Sequence, residues 1–133
     1  MINTIAVGTG ERCQLLDVTS KVNKAVREAG LTSGYVVCFV PHTTAGITIQ
    51  ENADPDVVHD FLWKLEDLIP QDEASFRHNE GNSDAHIKAS LVGASQMILV
   101  ENGSLVLGTW QGIYFCEFDG PRQRKLHIKC VTA

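Results

Sequence analysis

Three histidines occupy positions where side chains could bind a metal ion or move a proton. His42 directly follows an apolar run, and His78 and His86 bracket a polar segment that also contains Glu80 and Asp84. Neutral imidazole is the commonest metal ligand, and three imidazoles leave one coordination position open on a zinc-type ion. A divalent-metal site is one interpretation. In the alternative, His42 satisfies a backbone group and the polar segment is solvated, because the spacing from His78 to His86 matches no standard zinc motif.

Charged side chains near these histidines could complete such a site. Glu51 ends a predicted strand, where it could orient a histidine or act as a base. Asp54 fits a simpler role, since a carboxylate is favoured at the start of a helix. Lys88, Arg122 and Arg124 could converge to form an anion pocket for a phosphate group, and the alternative is that all three are solvated surface charges.

Trp110 lies between two predicted strands in the segment 108–112, GTWQG. Glycines on both sides permit a bulge or a close backbone approach. The indole ring either belongs to the core or forms the wall of a ligand pocket.

Composition limits the classes of function. The 133 residues predict one domain, 1–133, and the net charge of -5 argues against a nucleic-acid partner. A local cationic pocket for a phosphorylated small molecule is compatible with that charge.

No apolar stretch is long enough to span a membrane, and no basic region precedes an apolar core at the N-terminus, so a cytoplasmic location is expected. The four cysteines form no CxxC pair and are expected to be small buried hydrophobes.

Periodicity predicts two clear helices and a third short one. Apolar residues recur at three- and four-residue spacing over 17–30, and Gly30 suits the left-handed position after a helix. A second helix begins at Asp54-Pro55, buries Val58, Phe61, Leu62, Leu65 and Ile69, and ends at Pro70. A third covers 85–92, after a polar loop over 71–84.

The remaining apolar and alternating segments predict strands. The run 34–40 is nearly all apolar, which indicates a central strand covered on both faces. Asn102-Gly103 predicts a hairpin between 97–100 and 105–107, and Asp119-Gly120-Pro121 a turn between 113–118 and 124–131. The other predicted strands are 3–7, its hairpin partner 13–16, and 45–50. We therefore predict an α+β fold, with mostly antiparallel sheets in a sandwich-like core and two to three helices.

Four stretches, in order, resemble the signatures of the YjbQ family, which is often labelled secondary thiamine-phosphate synthase. They are 41–55 (PHTTAGITIQENADP), 78–91 (HNEGNSDAHIKASL), 95–113, and 117–122 followed by Arg124. The match extends over essentially the whole chain.

The resemblance implies a compact α+β fold, a homotrimer, a divalent metal at the histidine cluster and a weak thiamine-phosphate synthase activity. No organic cofactor is expected. The metal ligands are then His42, His78 and His86. The expected catalytic residues are Glu51, Lys88 and Arg124, and the expected substrate-binding residues are Thr43, Asn52, Thr109, Trp110 and Gln111.

The implied reaction joins a pyrimidine methyl diphosphate to a thiazole phosphate and releases pyrophosphate. Fixed positive groups aimed at the leaving diphosphate would lower its barrier. Imidazole ligands favour zinc, whereas diphosphate chemistry favours magnesium. Because of this mismatch, a metal-dependent hydrolase of a small phosphorylated metabolite stays open as the alternative enzyme. The same residues could also form a metabolite- or metal-binding module without efficient turnover, or line a trimer axis in a structural role.

Overall fold

The computed structural model describes all 133 residues and contains eight strands and three helices. The helices are α1 (Thr19–Ala29), α2 (Pro55–Leu68) and α3 (Ser83–Val92). The strands are β1 (Ile2–Gly8), β2 (Gln14–Asp17), β3 (Gly34–Phe39), β4 (Ala45–Glu51), β5 (Ser95–Glu101), β6 (Ser104–Leu105), β7 (Gln111–Glu117) and β8 (Gln123–Thr132).

The strands form two antiparallel sheets. The larger has the order β1-β8-β3-β5-β6, and the smaller has the order β2-β7-β4. The predicted α+β class with antiparallel sheets is therefore confirmed. The predicted hairpin between β1 and β2 is wrong, because β1 pairs with β8 along its whole length and β2 pairs with β7 in the other sheet.

A core of 17 buried residues lies between the two sheets and α1. Val36 and Cys38 of β3, Phe115 of β7 and Val22 of α1 all belong to it. The other face of the smaller sheet, which carries Cys116, packs against α2 and α3 in a second cluster. Burial of apolar surface on both faces of the smaller sheet holds the layers together.

β3 is central in its sheet, as predicted, but is covered on one face only. Its alternate residues Tyr35 and Val37 are half-buried and Phe39 is 44% exposed. The neighbouring Met97 and Leu99 of β5 are also exposed. We call the uncovered surface of the larger sheet the outer face.

Side-chain and backbone chemistry accounts for the start of α2 and for the end of α1. Asp54 caps α2 by accepting the backbone N–H of Asp56 at 2.9 Å, with Pro55 in the first turn. Gly30 ends α1 with φ 64°, the left-handed conformation. No residue of α2 is fully buried, so its predicted buried face is only half-buried. None of the three helices combines the length and apolarity that crossing a bilayer requires.

Candidate functional site

The three predicted metal ligands do not meet within the chain. His78 and His86 lie edge to face, with ring centroids 5.5 Å apart, beside Phe76 at the start of α3. His42 lines a different pocket, between the β3–β4 connection and the β7–β8 turn. No group of three or more His, Cys, Asp or Glu side chains in the chain could hold a metal ion.

The pocket at His42 has a volume of about 550 Å³ and a mixed lining. Apolar residues, hydrogen-bonding groups and two arginines line it, and no carboxylate does. We call it the His42 pocket. Its lining residues are Phe39, Val40, Pro41, His42, Thr43, Thr44, Ala94, Arg122 and Arg124.

Arg124 reaches this pocket from inside the protein. It shares the inward direction of Leu126 and Ile128 along β8 and is 3% exposed. Its Nε donates to Glu117 at 2.9 Å, and its Nη2 donates to Glu117 and, at 2.8 Å, to the Thr44 hydroxyl. Its Nη1 has no partner in the chain, which leaves that nitrogen for a ligand in the pocket.

Glu117 is a fully buried carboxylate with five hydrogen bonds. Arg124 donates two of these bonds. The Thr9 hydroxyl and the backbone N–H groups of Phe118 and Asp119 donate one each. Burial by itself raises the pKa of Glu117, but the bonds from Arg124 and Thr9 outweigh it, so the pKa lies below its usual 4.5. Glu117 is therefore ionised and holds Arg124 in place.

The second arginine of the pocket is bound along one edge only. Arg122 Nε donates to the Asp119 backbone oxygen at 2.9 Å, and Nη2 donates to the Asp119 carboxylate at 3.0 Å. The Arg122 side chain is 49% exposed. Its Nη1 has no partner in the chain and is available to a ligand.

His42 lies beside these arginines in a defined tautomer. The backbone N–H of Lys125 donates to His42 Nε2 at 3.0 Å, which assigns the proton of the neutral ring to Nδ1. Burial, and then the charge of Arg124, lowers the pKa of His42 from its usual 6.5. His42 is therefore neutral at pH 7 and offers its Nδ1–H as a donor.

Lys88, predicted to be catalytic, lies in a separate buried charge cluster. Its ammonium donates to Asp84 at 2.8 Å and to Glu66 of α2 at 2.6 Å. Arg12 forms a bidentate salt bridge with the same Asp84, with Nη2 2.9 Å from Oδ1 and Nη1 3.1 Å from Oδ2. Lys88 is 1% exposed and Asp84 0%, so this cluster joins α3 to α2 and to the β1–β2 connection.

Glu51, at the C-terminal end of β4, lies far from His42, and the predicted residues Asn52, Thr109, Trp110 and Gln111 lie near Glu51. His42 and Thr43 precede this strand and Glu51 ends it, and seven extended residues span roughly 20 Å. The Asn52 backbone N–H donates to the Trp110 carbonyl at 2.9 Å, and Trp110 is 62% exposed. Gln111 accepts the Gly108 N–H at 2.8 Å in the same turn. Thr109 is exposed beside them, so this group does not join the His42 pocket.

Sequence reasoning missed Glu117, Asp119 and Asn82. A signal for Glu117 exists in the sequence, because Arg124 has the same alternation as the inward Leu126 and a buried arginine requires a carboxylate. Nothing local in the sequence indicates that Asn82 contacts Asp119, since 37 residues separate them.

A family model described as "UPF0047 protein YjbQ-like" matches residues 3–133. UPF0047 protein YugU of Bacillus subtilis is 54% identical, over 98% of this chain and 99% of its own. UPF0047 protein MJ1081 of Methanocaldococcus jannaschii is 51% identical, over 98% of this chain and 94% of its own.

Solved structures have the same fold. The crystal structure of an uncharacterised conserved protein of the YjbQ/UPF0047 family from Clostridium acetobutylicum has a TM-score of 0.95 and 55% identity, covering 97% of this chain and 99% of that one. The hypothetical protein APE1520 from Aeropyrum pernix has a TM-score of 0.93 and 36% identity, covering 100% and 99%.

The predicted function is wrong. These relatives are named only as UPF0047, uncharacterised or hypothetical proteins, and none is named as a thiamine-phosphate synthase. The histidine metal centre is not formed within the chain, and the metal-dependent hydrolase and the metal-binding module were built on the same centre. The expectation of a divalent cofactor as such stays a prediction.

The family assignment from the four sequence signatures, in contrast, is confirmed. The model match and the relatives extend over nearly the whole chain. This chain belongs to the YjbQ-like UPF0047 family.

Proposed function

We propose that the His42 pocket binds the phosphate group of a small phosphorylated molecule through protein donors alone. One observation carries this proposal: two guanidinium groups with unused N–H donors line a pocket that no carboxylate lines. Arginine is suited to this task, because its planar donors match the spacing of phosphate oxygens and it stays charged.

The two arginines approach the pocket with different degrees of freedom. Arg124 is fixed by Glu117 and Thr44, whereas Arg122 is fixed along one edge by Asp119. A phosphate group offers oxygens in several directions, so separate donors can bind it together. A flat carboxylate ligand would satisfy fewer of them.

The apolar part of the lining supports a ligand larger than the phosphate itself. Phe39, Val40, Pro41 and Ala94 are among the lining residues, and the volume of about 550 Å³ lies in the range of small-molecule sites. The carbon skeleton of the ligand would contact these apolar residues while its phosphate faces the arginines.

A titration of His42 tests the proposal. Burial and Arg124 hold its pKa below 6.5, and a bound anion would favour the charged imidazolium. We therefore expect inorganic phosphate to raise the pKa of His42, measured by NMR from its ring protons across pH 4–9. Binding should also weaken as salt is added, because the attraction is electrostatic.

The Arg122→Gln variant should lose most of this phosphate effect. The matched control is Arg27→Gln, which removes an exposed guanidinium from the last turn of α1, away from the pocket. A His42 pKa that phosphate leaves unchanged in the wild-type protein would contradict the proposed function.

We also propose that the chain assembles as a homotrimer through the outer face. That face exposes Phe39, Met97 and Leu99, and no element of the chain covers it. A contiguous exposed apolar surface of this kind is typical of protein contacts. Lys125 and Lys129 of β8 lie on the same face, and α2 carries four carboxylates against one lysine. The opposite charges would favour a head-to-tail contact between the outer face of one subunit and α2 of the next, and such contacts form a ring when the rotation between subunits closes.

Adding charge to the outer face should dissociate the assembly. We expect a Met97→Glu/Leu99→Glu variant to elute as a 14.6 kDa monomer in light-scattering chromatography, and the wild type at three times that mass. The control is Leu91→Glu on α3, an equally exposed leucine on neither the outer face nor α2. A monomeric wild type would refute the assembly.

A further inference from the structure

We propose that Asp119 and Asn82 are positioning residues, which hold Arg122 so that its free edge faces the bound anion. The inference rests on the proposed phosphate site and extends it to two residues outside the pocket lining. It also gives a reason why one buried polar atom, Asn82 Oδ1, has no hydrogen-bond partner.

Asp119 binds one edge of the Arg122 guanidinium at two points. The Nε donates to its backbone oxygen at 2.9 Å, and the Nη2 donates to its carboxylate at 3.0 Å. Both bonds use the same side of the planar group. The opposite side, with Nη1, is therefore presented in a fixed orientation rather than rotating freely.

Asn82 in turn holds the Asp119 carboxylate. Its Nδ2 donates to Asp119 Oδ2 at 2.8 Å, the same oxygen that accepts from Arg122. The Asp119 backbone N–H also donates to Glu117 at 3.1 Å. Asp119 is thus fixed from α3 and from β7 at once.

Asn82 serves this contact at the expense of its usual role. It is the N-cap of α3, where an asparagine side chain normally accepts a helix N–H, yet it makes no such bond. Its Oδ1 is the only buried side-chain N or O atom of the chain without a hydrogen-bond partner. A buried unsatisfied atom is unfavourable, which points to a requirement other than helix stability.

The backbone of the turn is fixed as well. The Arg122 N–H donates to the Thr9 hydroxyl at 2.9 Å, and the Gly120 N–H donates to the Arg12 carbonyl at 3.0 Å. With both the main chain and one guanidinium edge held, Arg122 loses little further freedom when an anion binds. Such preorganisation improves affinity without a new contact.

Affinity for inorganic phosphate separates positioning from simple charge. Removing the Asp119 carboxylate deletes a negative charge beside the anion, so charge alone predicts tighter binding. Positioning predicts the opposite: Asp119→Ala and the uncharged change Asn82→Ala should each weaken binding about threefold to tenfold. The control is Glu11→Ala, which removes an exposed carboxylate near the same turn and should not weaken binding.

The Arg122 Nε–H signal in NMR supplies a readout that loss of stability would not reproduce. We expect a slowly exchanging signal in the wild type and a broadened one in both variants, at temperatures where all remain folded. Equal or tighter phosphate binding by Asp119→Ala and Asn82→Ala overturns the inference and leaves the proposed function intact. A wild type that does not bind phosphate overturns both.

Discussion

A Glu117→Ala variant is expected to lose roughly 3–5 kcal/mol of unfolding free energy, because it leaves a buried guanidinium without its carboxylate. Arg124 is 3% exposed, so little water is in contact with it to replace the lost bonds. The change also removes the acceptor of the Thr9 hydroxyl and of two backbone N–H groups. Denaturant unfolding followed by circular dichroism measures the loss.

The double variant Glu117→Leu/Arg124→Met is the matched control. Replacing both members of a buried ion pair with apolar groups often changes stability little, whereas removing one member is costly. We therefore expect the double variant to be more stable than Glu117→Ala. A Glu117→Ala protein within 1 kcal/mol of the wild type would show that the pair is not held as described.

The same pair predicts the response to acid. The pKa of Glu117 is depressed in the folded chain, so its contribution is fully present above the usual pKa of 4.5 and is lost as pH falls through the folded-state value. The difference in stability between wild type and Glu117→Ala should therefore narrow in acid.

Much of the fold follows from local patterns. The stripe of α1, the Asp54-Pro55 start of α2 and the Asn102-Gly103 hairpin each depend on residues within a few positions of one another. The two central turn residues have φ 53° and 76°, as the Asn-Gly pair predicts. The pairing of β2 could not be predicted from local patterns, because its partner β7 is about 100 residues away. The nearer strand β1 was an equally good partner by its pattern of residues.

The candidate site was harder to predict for the same reason. His42, Arg122 and Arg124 were all identified from the sequence, and the fold brings them into one pocket. His78 and His86 were grouped with His42 by residue type, but type carries no distance information. Glu117 and Asp119 decide how the two arginines are held, and their contacts join strands, a turn and α3 that only the tertiary fold brings together.

The second large effect is expected at Asp84, which is fully buried and binds two cations. Burial by itself raises the pKa of Asp84, but hydrogen bonds from Arg12 and Lys88 outweigh it and keep the carboxylate ionised. An Asp84→Ala variant would leave Arg12 and Lys88 without this carboxylate. We expect it to lose roughly 3–5 kcal/mol, measured by denaturant unfolding.

Lys88→Met provides the comparison that assigns this effect to the carboxylate. Methionine replaces the buried stem of Lys88, Asp84 keeps its two-pronged pair with Arg12, and the half-exposed Glu66 returns to water. We therefore expect Lys88→Met to be less destabilised than Asp84→Ala. The reverse order would mean that the buried ammonium, rather than Asp84, joins α3 to α2 and to the β1–β2 connection.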